Sequence, residues 1–412
     1  MSSIAPEALE LAQTIAAPLR DLGTEIDEAA NLARSPRASA ISVLPRISVD
    51  GGRAVFEPAS GPRYVPLKAI GEGGMGEVAL VEDRDIGRKV ARKRLLPGSG
   101  AGAVMRFVDE IRVIGQLDHP GIVPIHDVGL DERGEFFFVM KYVDGETLED
   151  IISRLRDGDP ATLRDWDTPR RIEVFVALLR ALDYAHSRGI LHRDIKPANV
   201  MVGRFGEVML MDWGVSRPIG GAREAHLATT DDVAAGGSVR TSSTRAGAII
   251  GTPLYMSPEQ GRGDTDTLDH RSDLYSACIL FHELLTTRHI HEEVETMESL
   301  MVRVITMQAP SSADLHNVGH IPAEYAHFLH RGLAHARDDR WASAKEMVSE
   351  LHDILDGRCR VQCAFTLTKR SLSDLGRLLD RYPMRALASI ITFFVLFVAL
   401  AAMVAVMFLA RA

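Results

Sequence analysis

The sequence predicts an α+β fold, strands first and helices after, followed by a single C-terminal transmembrane helix. Three observations carry this. From Tyr64 to Val81 apolar and polar residues alternate through a strand, a glycine-rich turn and a second strand, the period of two expected of a half-buried sheet. Over 104–117 and 169–188 the apolar residues recur at helical spacing instead. From Ala386 to Ala410 the chain is apolar, softened by Ser389 and Thr392, and is long enough to cross a hydrocarbon core of about 30 Å. A buried core helix of that length would keep a polar face.

At 412 residues the chain has room for one large or two ordinary domains with extensions. Its 46% hydrophobic and 25% charged residues are enough for a full core. A net charge of -9 and a pI near 5.9 argue against a general nucleic-acid binder, which would be basic. The three cysteines, Cys278, Cys359 and Cys363, contain no CxxC pair and read as reduced thiols. Cys359 and Cys363 are one helical turn apart, but no histidine pair accompanies them, and incidental thiols are the simpler reading. The amino terminus lacks the charged-then-apolar pattern of a secretory signal.

In chain order, residues 1–34 place Leu9, Ile15, Leu19, Leu22 and Ile26 at helical spacing and predict an amphipathic helix. Residues 35–63 mix Ser, Arg, Pro and Gly and read as a linker. Gly71, Gly73 and Gly76 then form a GxGxxG turn, a spacing shared by several phosphate-binding loops. Val78 begins a second strand where a dinucleotide-binding fingerprint would open a helix. Lys93 follows in Val90-Ala91-Arg92-Lys93, crowded by Lys89, Arg92 and Arg94. The helix at 104–117 carries Asp109 and Glu110, and Phe136 to Val143 is an apolar strand running into a polar segment.

The stretch His192-Arg193-Asp194-Ile195-Lys196-Pro197-Ala198-Asn199 sets a carboxylate, an ammonium and a carboxamide at short fixed separations. Phosphoryl transfer asks for these groups: a carboxylate for the attacking hydroxyl's proton, a cation for the moving charge, and an amide oxygen towards a metal. Val208-Met209-Leu210-Met211-Asp212-Trp213-Gly214 then offers a second carboxylate at the end of a hydrophobic strand. Gly251 to Gln260 reads Gly-Thr-Pro-Leu-Tyr-Met-Ser-Pro-Glu-Gln.

Together these pieces, in this order, resemble the eukaryotic-type serine/threonine protein kinases in their bacterial form. The resemblance covers 64–355 and implies a two-lobed protein kinase fold, a small β-rich lobe and a large helical one. It implies that Ile70, Gly71, Gly73, Gly76 and Val78 close over ATP, with Ala91, Met140 as gatekeeper and Val143 around the adenine. Lys93 would meet the α- and β-phosphates, held by Glu110. Asp194 would be the base, Lys196 the cation beside the transferring phosphate, and Asn199 and Asp212 the ligands of Mg²⁺, with Mn²⁺ as an alternative. Lys196 is similar to the serine/threonine rather than the tyrosine form. Trp213 stands where the family usually has Phe, Ser257 where it has Ala, and Cys278 where Gly is common.

The same resemblance implies a buried ion pair between Glu259 and Arg340, and a bracing role for Asp273 beneath the catalytic loop. Residues 215–250 would be an activation loop, with Thr229, Thr230, Ser238, Thr241, Ser242, Ser243 and Thr244 as phosphorylation candidates and Arg193 as a phosphate clamp; a passive insert is the alternative. After Leu355, residues 356–385 read as a juxtamembrane connector with seven Lys and Arg, against Arg411 beyond the apolar run. The positive-inside rule then predicts a single-pass protein of the cell (inner) membrane with the kinase cytoplasmic. The connector's basic residues have two readings, a solvated linker and a contact with anionic lipid headgroups. Ala401 and Ala405 offer a small-residue face for a homodimer, though alanine is common in such helices. A catalytically dead scaffold and a ligand sensor are the rival readings; no catalytic residue of the pattern is lost.

Overall fold

The computed structural model describes residues 46–50, 53–57, 62–73, 76–131, 133–213, 217–218, 253–264, 268–358 and 360–381, with Thr392, Leu396, Val398 and Met403. The chain divides into two compact units, residues 1–111 with 125–142, and residues 112–124 with 143–412.

The first unit is mostly sheet. Strands β1 (Arg46–Asp50) and β2 (Arg53–Glu57) pair antiparallel as a hairpin. Strands β3 (Tyr64–Gly73), β4 (Gly76–Asp83) and β5 (Arg88–Leu95) precede helix α1 (Ala101–Ile114), and β6 (Ile125–Leu130) and β7 (Phe136–Lys141) follow it. The five strands form one antiparallel sheet in the order β3-β4-β5-β7-β6. Successive strand residues point to opposite faces, so Phe137 and Val139 join Tyr64, Val81 and Val90 in one cluster, while Phe138 meets Leu95 and Phe107 in the other. Phe107 brings α1 against the sheet, its ring 5.3 Å from that of Phe138. Arg63 ties the sheet edge together, its guanidinium 3.0 Å from both carboxylate oxygens of Asp83 and 3.2 Å from Asp127.

The second unit is mostly helical. A three-stranded sheet, β8 (Gly145–Thr147), β10 (Val200–Gly203) and β11 (Val208–Leu210), has the order β11-β10-β8, and β9 (Ile190–Leu191) pairs with β12 (Arg217–Pro218). The helices are α2 (Leu148–Arg156), α3 (Pro160–Asp165), α4 (Thr168–Ser187), α5 (Pro258–Gly261), α6 (His270–Thr286), α7 (Met297–Thr306), α8 (Ser312–Gly319), α9 (Ala323–Gly332), α10 (Ala344–Leu355) and α11 (Ala364–Arg381). Asp167 caps α4 by accepting the Arg170 N–H, and Asp269 does the same for α6 with Arg271. The core centres on Phe175 of α4 stacked on Phe281 of α6 at 4.1 Å, with Phe328 of α9 edge-on to Phe281 at 5.8 Å. Removing one such ring costs about 3–5 kcal/mol.

Three expectations shift. The helix predicted at 104–117 runs from Ala101 to Ile114, because Gln116 and Leu117 bond three residues back, to Val113 and Ile114, and close the helix in a tight turn. The linker expected at 35–63 contains the β1–β2 hairpin, whose alternation around Gly51-Gly52 is a hairpin signature. The connector expected at 356–385 contains an eighteen-residue helix, α11. The predicted helix at 1–34, the activation-loop sites between 219 and 252, and Cys359 lie outside the described residues. No helix among the described residues is long and apolar enough to cross a membrane; the run 386–410, apart from Thr392, Leu396, Val398 and Met403, lies outside them.

Candidate active site

In the first unit, β5 pairs Lys93 with Val78 on one side and Phe138 on the other. The Lys93 Nζ donates to both carboxylate oxygens of Glu110, at 2.6 and 2.9 Å. Glu110 is 2% exposed, one turn from Phe107 on the buried side of α1. Asp109, its neighbour, is exposed. Gly76 has a backbone reason to be glycine: a Cβ there would sit 2.4 Å from the Arg94 carbonyl oxygen. Ala91 is buried, Val78 and Met140 are partly buried, and Ile70 is exposed. Gly71 has open space around it, whereas Gly74 and Met75 at the turn lie outside the described residues.

In the second unit, the loop after β9 is built on His192 and Asp273. Asp273 stands in the first turn of α6, where the helix dipole favours a carboxylate. It accepts the backbone N–H groups of His192 and Arg193, at 2.9 and 2.8 Å, and meets His186 Nε2 at 2.8 Å. Burial pushes the Asp273 carboxyl up, but His186, His192 and these hydrogen bonds outweigh it and hold it below the usual carboxylate range. His192 is fully buried, which pushes its pKa down and keeps it neutral. One tautomer then satisfies the ring: Nε2–H donates to the Met211 carbonyl at 2.9 Å, and Nδ1 accepts the Asp194 N–H at 3.3 Å. Arg193 is left-handed, with φ 69, and both its flanking peptide groups are held, N–H by Asp273 and carbonyl by Gln260 Nε2 at 2.9 Å.

That frame presents Asp194, Lys196 and Asn199 together. Lys196 Nζ donates to Asp194 Oδ2 at 2.7 Å, and Asn199 Nδ2 donates to the same oxygen at 3.1 Å and to the Asp194 carbonyl at 2.8 Å. Pro197–Asn199 is a single tight turn opening directly into β10. The Asn199 carbonyl accepts the Met211 N–H at 2.8 Å, so the β10–β11 hairpin sets Asp212 one residue beyond the Asn199 backbone. Asp212 is also left-handed, at φ 60. Backbone held there by a non-glycine residue costs of order 1–3 kcal/mol and persists where surrounding structure fixes it. Trp213 is 1% exposed, with its ring edge-on to His192 at 4.6 Å. The larger ring is thus packed beneath the loop. Val143, in this unit, is buried.

The predicted structural pair is present. Arg340 donates to Glu259 at 2.7 and 2.9 Å, both side chains essentially unexposed. Ser272 Oγ adds a bond to Glu259 at 2.6 Å, and Arg340 also donates to the carbonyls of Ala334 and His335. Ser257 caps α5 with Gln260 in a reciprocal box, and that Gln260 is the residue that holds the Arg193 carbonyl. Cys278 packs against Gly332, where a Cβ would lie 2.2 Å from its sulfur; burial pushes its thiol pKa up.

Sequence reading missed His186 and Gln260. His186 lies in no motif, and Gln260 closes the Gly251–Gln260 stretch without a role of its own there; each acts through a partner more than sixty residues away.

Among the described residues no group of three or more His, Cys, Asp or Glu could hold a metal by itself. Asp212 and Asn199 are a different kind of donor set, two oxygen ligands suited to a hard cation that takes its remaining ligands from phosphates and water. With Nδ2 engaged by Asp194, the Asn199 amide has Oδ1 as its remaining acceptor.

Comparison with protein families matches residues 64–352 to the protein kinase domain. Among curated proteins, Serine/threonine-protein kinase PknD of Protochlamydia amoebophila is 29% identical over 77% of this chain and 32% of its own length. Probable serine/threonine-protein kinase PknB of Bifidobacterium longum is 33% identical over 78% of this chain and 43% of its own. A probable serine/threonine-protein kinase of Streptomyces coelicolor is 34% identical over 80% and 45%. The chain therefore spans less than half the length of these relatives.

Proposed function

The chain belongs to the protein kinase family, and we propose that it transfers the γ-phosphoryl group of ATP to serine and threonine hydroxyls of proteins, residues of its own activation segment among them. The observation that carries this is the convergence of Lys196 and Asn199 on one oxygen of Asp194. Both donors land on Oδ2, so Oδ1 takes the substrate hydroxyl, orients it and accepts its proton as the oxygen–phosphorus bond forms. The Lys196 ammonium, fixed beside that carboxylate, faces charge on the group being transferred. His192, neutral and bonded at both ring nitrogens, holds the loop without competing for the proton. Lys93, with Glu110 on its ammonium, holds the non-transferring phosphates. A divalent metal, Mg²⁺ or Mn²⁺, supplies charge neutralisation and orientation of the phosphates when bound, and Asp212 and Asn199 are the residues that would hold it.

The preference for Ser/Thr is supported by Lys196 and by the names of the relatives. Membrane anchoring is read from sequence: the apolar run 386–410, preceded by Arg358, Arg360, Lys369, Arg370, Arg377, Arg381 and Arg385, favours a single pass with the kinase domain on the cytoplasmic side. Pairing of two copies through Ala401 and Ala405 would bring one activation segment to another's active site.

The test is incubation of the full chain with Mg²⁺ and ATP labelled at the γ-phosphate, with a basic protein as acceptor, followed by phosphoamino-acid analysis. Phosphoserine or phosphothreonine in the wild type and neither in Asp194→Asn is the expected result. Phosphotyrosine alone, or equal labelling by the variant, contradicts the proposal.

A further inference from the structure

Helix α11 is turned the opposite way from an ordinary surface helix, whose apolar stripe faces the fold. Its polar side is the one fixed to the rest of the unit. Lys369 is ion-paired with Glu324 of α9, a residue 6% exposed. Arg377 reaches the carbonyls of Asp356 and Gly357 at 3.5 Å. Ser373 lies so close to Gly357 that a Cβ there would meet its hydroxyl at 2.2 Å. Thr366 is 1% exposed and accepts the N–H groups of Gln362 and Cys363 at 2.9 Å, capping the helix start.

The apolar side faces outward. Phe365, Leu372 and Leu375 recur at spacings of seven and three, on one stripe, and are 67%, 65% and 53% exposed, with Leu367 at its flank 52% exposed. The His316 ring, 5.3 Å from that of Phe365, covers little of the stripe.

We propose that this face of α11 lies in the interfacial layer of a lipid bilayer, so that the helical unit rests on the membrane surface with α11 between them. The inference rests on the anchoring proposed for 386–410. Residues 382–385 alone separate α11 from that run, and a fully extended chain crosses such a gap in roughly 15–18 Å. Once the run enters the bilayer, α11 is confined to its surface. A helix with an apolar stripe and a cationic polar side is the form that lies in that layer. Lys369 and Arg377 are already engaged with Glu324 and with the Asp356 and Gly357 carbonyls, so the exposed apolar stripe is the part of α11 that meets the layer.

The test uses the full chain with Cys359→Ser and Cys363→Ser, Cys278 being buried. A polarity-sensitive fluorophore is attached at Leu372→Cys or, on the polar side, at Arg370→Cys; both positions are exposed. The protein is mixed with phosphatidylcholine–phosphatidylserine vesicles, floated, and quenched by brominated lipid or by aqueous iodide. The inference expects flotation, a Leu372→Cys label quenched several-fold more by brominated lipid than the Arg370→Cys label, and the reverse order with iodide. Flotation with both labels equally open to iodide overturns the inference and leaves the anchoring standing. Failure to float overturns both. A Leu372→Cys label shielded from both quenchers, with energy transfer between labelled copies, assigns the face to a second copy and also overturns it.

Discussion

At the scale of single residues, the site is a set of side chains held by others that touch no substrate. Asp273, His186 and Gln260 fix a loop containing the left-handed Arg193, and His192 carries that order to the Asp194 backbone. The buried pair Glu259–Arg340 is the clearest case where stability and geometry are one matter. Burial pushes the Glu259 carboxyl up, and Arg340 and Ser272 more than reverse this, leaving it below its ordinary value of 4.5. Its stabilising contribution is therefore full above that value and is lost as pH falls through the lower folded value. Arg340→Met, leaving a buried carboxylate alone, should cost about 3–5 kcal/mol, and Glu259→Leu with Arg340→Met should recover part of it. Thermal melts of the three proteins check both statements.

At the scale of elements, the end of α6 and the segment after it gather three imidazoles, His291 buried and His282 and His289 partly buried. His282, His289 and His291 are pushed down by burial to about 4, 3 and 4. The His291 N–H donates to His289 Nδ1, and Arg303 and Arg156 add positive charge nearby. Folded values below the free value of 6.5 mean that the unfolded chain binds protons first as pH falls. Stability is present above pH 6.5 and declines below it. The melting temperature should fall between pH 6.5 and about 5, and His291→Leu, at a site 1% exposed, should flatten that slope; an unchanged slope would show that the imidazole is not responsible.

Elements also mark how far sequence reached. The catalytic loop was legible because it sets residue types at fixed spacing within a short motif. The Lys93–Glu110 and Glu259–Arg340 ion pairs and the place of Asp273 under the loop were reached through the family resemblance that the surrounding motifs carry, not through spacing, since Glu259 and Arg340 stand 81 residues apart. The β1–β2 hairpin was hidden by its Gly and Ser content, although Gly51-Gly52 marked it. The orientation of α11 was not legible at all: periodicity reveals two faces of a helix, and which one is covered depends on Glu324 and Gly357, far away or outside it.

At the scale of the whole molecule, the protein kinase domain accounts for residues 64–352. The first unit holds its lysine–glutamate pair and the second its carboxylate, lysine and asparagine. We propose that Asp194 carries the transfer while taking no part in holding nucleotide. The most direct measurement sets ATP affinity beside single-turnover transfer rate for the wild type and Asp194→Asn. We predict an unchanged affinity and a transfer rate lower by about 10²–10⁴-fold, the worth of a positioned general base. Equal transfer rates in the two proteins would remove Asp194 from the transfer step.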